Sequence, residues 1–248
     1  MKVSVLMPCY NEGNHIRDSL TSVGQMLEGA GLDYEIVVVD DGSTDGTAEE
    51  ASKIPDGHVK IVGYKPNKGK GHALRYGFQK ATGDVIVFMD SDSEITPPDI
   101  HSYIHALASA DIAVGSRRNP RSVVKAPGAR RLLSYWFNTL AKLMTGVKIP
   151  DTQSGFKASR REALEKIFPL LSVRRYAFDL EMLTVASMLR MRIVDLPVRV
   201  HQSVLFSVRH IARMLVDMAG IAYRLRVLRW YQKNANNQRA SYKPIIRW

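Results

Sequence analysis

Val85-Ile86-Val87-Phe88-Met89-Asp90-Ser91-Asp92 is the stretch on which the reading of this chain turns. Five apolar residues, three of them β-branched, have the composition of a buried strand. Two carboxylates follow at i, i+2, which places both on one side of the backbone if the chain stays extended. Hard oxygen ligands at the mouth of a sheet suit Mg²⁺ or Mn²⁺, cations that share their remaining positions with waters and substrate phosphates. Glu94, two residues on, is a third candidate ligand. The segment therefore implies a metal-assisted site for a phosphorylated substrate. Asp-x-Asp is also a common surface turn, and its place after an apolar strand is what favours the metal.

Outward from that strand, the first half alternates strand and helix. Strands are expected at Val3–Met7, Tyr34–Val39, Val59–Tyr64 and Asp111–Ser116, with Ile16, Leu20, Val23 and Leu27 at helical spacing between the first two. Such β/α alternation predicts a mostly parallel sheet flanked by helices, with ligands at the carboxyl ends of its strands. Three strands end in polar motifs: Pro8-Cys9-Tyr10-Asn11-Glu12, Asp40-Asp41 and Asp90-Ser91-Asp92. Further on, a helix is expected from about Gly128 to Thr145. Ser159-Arg160-Arg161-Glu162 matches a capping box. Another helix is expected over Asp179–Leu189, and a strand over Arg192–His201. From Ser203 to Trp230, Arg209, Arg213, Asp217, Gly220 and Arg224 form a polar stripe on an otherwise apolar pattern, as in one or two amphipathic helices. A membrane interface and a helix packed on its own domain or a partner copy both need this pattern. The expected organisation is a catalytic domain over 1–202, amphipathic helices over 203–233, and a basic, poorly ordered tail over 234–248.

Charge is unevenly spread along the 248 residues. Residues 1–111 hold nine Lys/Arg against seventeen Asp/Glu, and residues 112–248 hold twenty-six against seven. Between Asp111 and Asp151 there are eight Lys/Arg and no carboxylate. A basic half beside an acidic one points to an anionic partner, with a solvated basic face as the plain alternative. Nucleic acid is disfavoured, because the aromatics are not interleaved with the basic residues as a stacking platform requires. One cysteine, Cys9, excludes an internal disulfide or Cys-based zinc site and fits a reducing compartment. No apolar run of 18 residues occurs and the N-terminal apolar run is too short for a signal peptide, so neither a membrane span nor a leader is expected. Peripheral attachment to the cytoplasmic face of a membrane is the expected location.

Other motifs admit two readings each. Asp40-Asp41 before Gly42-Ser43-Thr44 is either a turn with a helix cap or a carboxylate set to bind a base or ribose. Lys68-Gly69-Lys70-Gly71 before a helix is either a phosphate cradle or a flexible loop. Arg117-Arg118 follows a strand, and Arg130 and Ser134 are i, i+4 on one helix face. Arginine suits phosphate through its bidentate fork; a solvated helix face is the alternative.

Taken in order, Val-Ser-Val-Leu-Met-Pro-Cys-Tyr-Asn-Glu from Val3, Glu35-Ile-Val-Val-Val-Asp-Asp-Gly-Ser-Thr-Asp-Gly-Thr, Asn67-Lys-Gly-Lys-Gly and Met89-Asp-Ser-Asp resemble family 2 glycosyltransferases of the GT-A (Rossmann-like) fold. Gly115-Ser116-Arg117, Asp151-Thr-Gln-Ser-Gly-Phe-Lys157 and Ala177-Phe-Asp-Leu-Glu181 resemble the polyprenyl-phosphate (dolichyl-phosphate) hexosyltransferase branch, and the last two look closer to its glucose synthases than to its mannose synthases. The resemblance implies that Pro8, Tyr10, Glu12 and Asp40 line the base pocket. It implies that Asp90, Asp92 and Glu94 hold Mg²⁺ or Mn²⁺ on the donor, and that Arg117, Arg130 and Ser134 receive the lipid phosphate. Asp41, Lys70, Ser91 and Gln153 complete the expected substrate-binding set. Asp92 with Arg117, Arg130 and Ser134 is the expected catalytic set.

The implied reaction is inverting transfer of a hexose from a nucleotide sugar, UDP-glucose or GDP-mannose, to a polyprenyl or dolichyl phosphate. The implied surroundings are a membrane surface and, as an alternative cover for the C-terminal helices, a second copy of the chain. One departure concerns the donor: where mannose-synthase relatives carry a basic Gly-Ser-Lys loop, this chain has Val200-His201-Gln202-Ser203-Val204-Leu205-Phe206-Ser207. Two rivals stand beside this reading. One is the same scaffold acting on a sugar hydroxyl, with Asp179 as base. The other is a non-catalytic basic protein that binds membranes.

Overall fold

A computed structural model of the chain describes residues 1–55, 57–92, 94–201 and 208–241. The first half runs β1 (Val3–Cys9), α1 (Ile16–Gly29), β2 (Tyr34–Asp40), α2 (Thr47–Ser52), β3 (Val59–Gly63), α3 (Lys70–Lys80), β4 (Val85–Phe88). There follow β5 (Ile95–Thr96), α4 (Ile100–Ala106), β6 (Ile112–Ser116), β7 (Val123–Lys125), α5 (Gly128–Thr145) and β8 (Lys157–Arg160). The chain then continues through α6 (Arg161–Ile167), α7 (Phe178–Met188), β9 (Ile193–Pro197), β10 (Arg199–His201), α8 (Val208–Arg226) and α9 (Trp230–Ser241).

Seven strands form the main sheet in the order β3-β2-β1-β4-β8-β6-β9. β3, β2, β1 and β4 are mutually parallel, as are β6 and β9; β8 lies antiparallel between β4 and β6. The central strands read as unbroken apolar runs because both faces are covered. Val3, Val5 and Met7 of β1, with Ile36 and Val38 of β2, pack under α1 and α4. Leu6, Val37 and Val39 point the other way, against α3 and α7. Each fully buried Val, Leu or Ile stabilises the fold by roughly 1.5–3 kcal/mol relative to exposure, so a one-residue slip of any central strand is heavily disfavoured.

From β1 the sheet grows one way through β2 and β3, then the chain crosses back to place β4 on the other side of β1. Such a switch point opens a crevice beyond the carboxyl ends of the strands. Pro8–Glu12, Asp40-Asp41 and Asp90–Asp92 all stand at that edge.

Several expectations need correction. Lys157–Arg160, assigned to no strand, is β8, the antiparallel member at the middle of the sheet. Ser159 therefore does not cap a helix: its Oγ bonds the Asp111 and Arg160 carbonyls, and the N-cap of α6 is Arg160 with no side-chain cap bond. The strand expected over Arg192–His201 is two strands in two sheets, since β10 leaves the main sheet to join β5 and β7. Residues 234–241, expected as tail, continue α9, whose Tyr231 is fully buried. The loop residues 202–207 and the terminal residues 242–248 lie outside the described residues. Among the described residues no helix is long and apolar enough to cross a membrane.

Candidate active site

β4 stops at Phe88 and the chain turns through Asp90–Asp92 instead of running on extended. The turn is pinned from below, where the buried Ser19 hydroxyl donates to the Ser91 carbonyl at 2.6 Å. Asp92 Oδ1 accepts from the Glu94 amide at 2.9 Å. Asp90 is half-buried. Lys70, at the start of α3, puts its Nζ 2.6 Å from Asp90 Oδ1. On the other side Gly155 presses so close that a Cβ there would sit 2.0 Å from Asp90 Oδ2. Glycine at this place in Asp151-Thr-Gln-Ser-Gly is thus dictated by the approach of the backbone to the carboxylate.

Behind Asp90 lies a row of alternating buried charges. Lys70 also reaches Asp179 Oδ2 at 3.3 Å, and Lys157, which has no solvent exposure, reaches Asp179 Oδ1 at 2.7 Å. Burial pushes the Asp179 carboxyl up, but Lys157 and Lys70 outweigh it and hold it below the usual carboxylate range. An aspartate so engaged is a weaker base than a free carboxylate, although it lines the cavity described below.

Burial first, and the Asp90 charge second, push the Asp92 carboxyl above its ordinary value. The Glu12 carboxyl is raised for the same two reasons, with Asp92 as the neighbouring charge. Carboxylates crowded together in this way gain from a cation placed among them. The oxygen-only donor set of Asp90 and Asp92 fits Mg²⁺ or Mn²⁺, which one or two carboxylates plus substrate phosphates can hold. Glu94 does not complete a trio: its carboxylate pairs with Arg130 at 3.1 Å, and no group of three acidic, His or Cys residues is arranged for a metal among the described residues.

A cavity of about 1080 Å³ opens at this edge of the sheet. Pro8, Tyr10 and Glu12 line it, as do Asp41, Lys70 and Ser91. So do Asp90, Asp92, Glu94, Arg117, Arg130, Ser134 and Gln153. Asp40 does not line this cavity; its Oδ1 accepts from the Ser43 amide in the tight turn after β2. Asp41 serves the next loop, accepting from Tyr64 Oη at 2.8 Å, the Lys68 amide at 2.7 Å and the Gly69 amide at 2.8 Å. Of the amides expected to cradle phosphate, those of Lys68, Gly69 and Gly71 are therefore already taken, the last by the Arg174 carbonyl. Asn67, Lys68, Gly69 and Lys70 of this loop line the cavity. Arg117 is likewise committed, by a two-nitrogen grip on Asp151.

Sequence reasoning missed Arg174, Arg175 and Tyr176, whose loop walls the cavity, and gave Arg213 of α8 no place in the site. Arg174-Arg175 is a second arginine pair just before the Ala177–Glu181 motif, a visible signal that was not used. Their loop is anchored by buried Glu181, which accepts from the Ser172 and Val173 amides at 2.9 and 2.7 Å and from the Tyr231 hydroxyl at 2.6 Å. Leu133 and Phe137 of α5 and Ile211 and Met214 of α8 also line the cavity.

A switch-point sheet with paired aspartates at its carboxyl edge, facing a large cavity, is the architecture of the GT-A fold. Residues 4–168 match the family model described as Glycosyl transferase family 2. The dolichyl-phosphate beta-glucosyltransferase of Saccharomyces cerevisiae is 34% identical over 223 residues, 81% of this chain and 67% of the yeast protein. The Homo sapiens enzyme of the same name is 32% identical over 215 residues, 79% of this chain and 66% of its own length. The dolichol-phosphate mannosyltransferase of Pyrococcus furiosus is 37% identical over 172 residues, 67% of this chain and 48% of that protein. The chain thus spans about two thirds of the yeast and human relatives. Among solved structures, glucosyl-3-phosphoglycerate synthase from Mycobacterium tuberculosis, in complex with Mn²⁺, UDP-glucose and phosphoglyceric acid, superposes with a TM-score of 0.68 at 19% identity. That superposition covers 90% of this chain and 78% of the other, and establishes likeness of fold. The chain belongs to glycosyl transferase family 2, and its relatives set it among the dolichyl-phosphate sugar synthases.

Proposed function

We propose that this protein transfers glucose, with inversion, from a nucleotide sugar to a polyprenyl phosphate of the dolichyl type, using Mg²⁺ or Mn²⁺ held by Asp90 and Asp92. The observation that carries this reading is one cavity lined both by the aspartates at the sheet edge and by Arg174, Arg175 and Arg213 with apolar side chains of α5 and α8. The aspartates suit a sugar-nucleotide diphosphate, and the arginines with the apolar side chains suit a lipid phosphate. Glucose is favoured over mannose by the names of the yeast and human relatives and by the two motifs that resemble glucose synthases. When bound, the cation offsets charge that develops on the departing nucleoside diphosphate.

The chain's own residues do the rest. Pro8, Tyr10 and Glu12 form the wall for the base. Arg130 and Ser134 on α5, with Arg174, Arg175 and Arg213, hold the acceptor phosphate close to an anionic donor it would otherwise repel. A phosphate monoester is mostly dianionic at neutral pH because its second pKa is near 6, so its oxygen attacks without a general base. This agrees with the double ion pair that occupies Asp179.

The lipid tail places the enzyme at a bilayer. Leu132, Trp136, Leu140 and Leu143 recur on one stripe of α5 and are exposed, as are Val216 and Tyr223 of α8 and Val227 just after it. α5 and α8 pack on each other through Phe137, Ala141, Met218 and Ile221, which leaves the two stripes on one platform. Arg118, Arg131 and Lys142 in the carboxylate-free segment supply charge for an anionic surface.

The test is incubation with labelled UDP-glucose or GDP-mannose, Mg²⁺ or Mn²⁺, and a polyprenyl phosphate. Organic-extractable label from UDP-glucose is expected. Label from GDP-mannose alone would replace the donor, and no lipid product from either donor would overturn the reading.

A further inference from the structure

Lys70 already holds one oxygen of a candidate metal ligand. Its ammonium lies 2.6 Å from Asp90 Oδ1, while the Gly155 backbone approaches on the Oδ2 side. A divalent cation that takes Asp90 Oδ1 as ligand must compete with Lys70 for it. Lys70 can leave without stranding a charge. Its other partner, Asp179, keeps a fully buried lysine, Lys157, at 2.7 Å on its opposite oxygen, so departure of Lys70 leaves no carboxylate bare in the interior. The Lys70 side chain also lines the cavity, where a long flexible stem can carry the ammonium to a new anion.

We propose that Lys70 is a resident counter-ion that keeps the Asp90 site closed to free divalent metal, and that it leaves Asp90 when a nucleoside diphosphate arrives. The incoming diphosphate provides anionic oxygens for the displaced ammonium and further ligands for the metal. Metal and nucleotide then bind together with positive coupling, each weakly without the other. By linkage, the same factor that tightens metal on nucleotide binding tightens nucleotide on metal binding. The inference rests on the reading that Asp90 and Asp92 hold the metal. It goes beyond that reading by assigning Lys70 the control of when they do so.

Titration calorimetry of Mn²⁺ into the full chain tests it, with the protein alone and then saturated with UDP or with GDP. The wild type is expected to bind Mn²⁺ about tenfold or more tightly when nucleotide is present, within the usual range of coupling between sites. Lys70→Met is expected to bind Mn²⁺ alone about tenfold more tightly than the wild type, with the nucleotide enhancement reduced to the part that direct phosphate ligation supplies. Lys70→Arg keeps the cation and should retain the wild-type pattern, which separates charge from loss of the side chain. Melting curves confirm that each variant is folded. Wild-type enhancement below about threefold, or a Lys70→Met affinity for Mn²⁺ alone no better than wild type, would overturn the role of Lys70 while leaving the metal reading intact. No Mn²⁺ binding by any of the three proteins with either nucleotide would instead remove the metal reading and this inference with it.

Discussion

Arg117, just beyond β6, grips Asp151 at two points, with Nε 2.7 Å from Oδ2 and a terminal guanidinium nitrogen 2.8 Å from Oδ1. The same carboxylate also accepts the Arg117 amide at 3.1 Å and the Gln153 amide at 3.1 Å. The pair fixes the Asp151–Phe156 turn against β6, and so sets where Gly155 meets Asp90. Arg117 thereby shapes the site through this turn as well as lining the cavity.

Acid should weaken the fold through this pair. Burial raises the Asp151 carboxyl, but Arg117 more than offsets it and holds it at about 2. A depressed carboxylate contributes stability that is fully present above its unfolded value near 3.9 and is lost as pH falls through the folded value. At neutral pH that contribution is roughly 2 kcal/mol. Denaturant melts of wild type and Asp151→Asn should differ most above pH 4 and draw together toward pH 2. A gap independent of pH would show that the carboxylate is not the source.

Asp179→Asn separates a structural aspartate from a catalytic base. The substitution leaves Lys157 buried without a full negative partner, a change that costs about 3–5 kcal/mol. The expected outcome is a marked loss of melting stability, with turnover per folded molecule within about tenfold of wild type. General bases contribute roughly 10²–10⁴ in rate. A stable variant with a loss of that size would assign Asp179 to proton transfer and restore a hydroxyl acceptor.

Glu181 joins the C-terminal helices to the cavity wall. It is fully buried and accepts at once from the 172–173 backbone, the Ser172 hydroxyl and Tyr231, with Arg224 at 3.4 Å. Glu181→Gln puts an amide where these donors need an acceptor, and an unmet buried group costs about 1–3 kcal/mol. Hydrogen exchange should rise in 172–176, α8 and α9 and stay unchanged in β1 and β2. A uniform rise across the sheet would mean that the whole fold, not this junction, had been loosened.

The sheet was readable where burial on both faces forces an apolar run, as in Val85–Phe88 and Ile36–Val39. β8 was not, because its residues are Lys157-Ala-Ser-Arg160. Its lysine is tolerated inside only because Asp179 comes from a distant helix, and no local pattern encodes that pairing. The aspartates at the edge of the sheet were legible from their place after β4. The commitments of Arg117 to Asp151 and of Glu94 to Arg130 were not, since each joins residues more than thirty positions apart. Tyr231 is buried, with Glu181 from a distant helix accepting from its hydroxyl, another pairing that no local pattern encodes.

Trp136 and Leu143 decide whether the α5–α8 platform meets a bilayer. They are 64% and 73% exposed, so truncating them removes little packing within the fold. Trp136→Ala with Leu143→Ala should leave the unfolding free energy within about 0.5 kcal/mol of wild type, as for most surface changes. Burial in an interface of even a third of the area of these side chains is worth roughly 2 kcal/mol, or more than tenfold in partition. Sedimentation with vesicles containing anionic lipid should therefore show at least about a tenfold loss of binding in the double variant. Wild-type binding should also weaken between low and high salt, because Arg118, Arg131 and Lys142 act across a screening length of about 8 Å at physiological ionic strength. If vesicle binding is unmoved while the variant shifts a monomer–dimer equilibrium, the platform is covered by a second copy of the chain, and the bilayer must be met elsewhere.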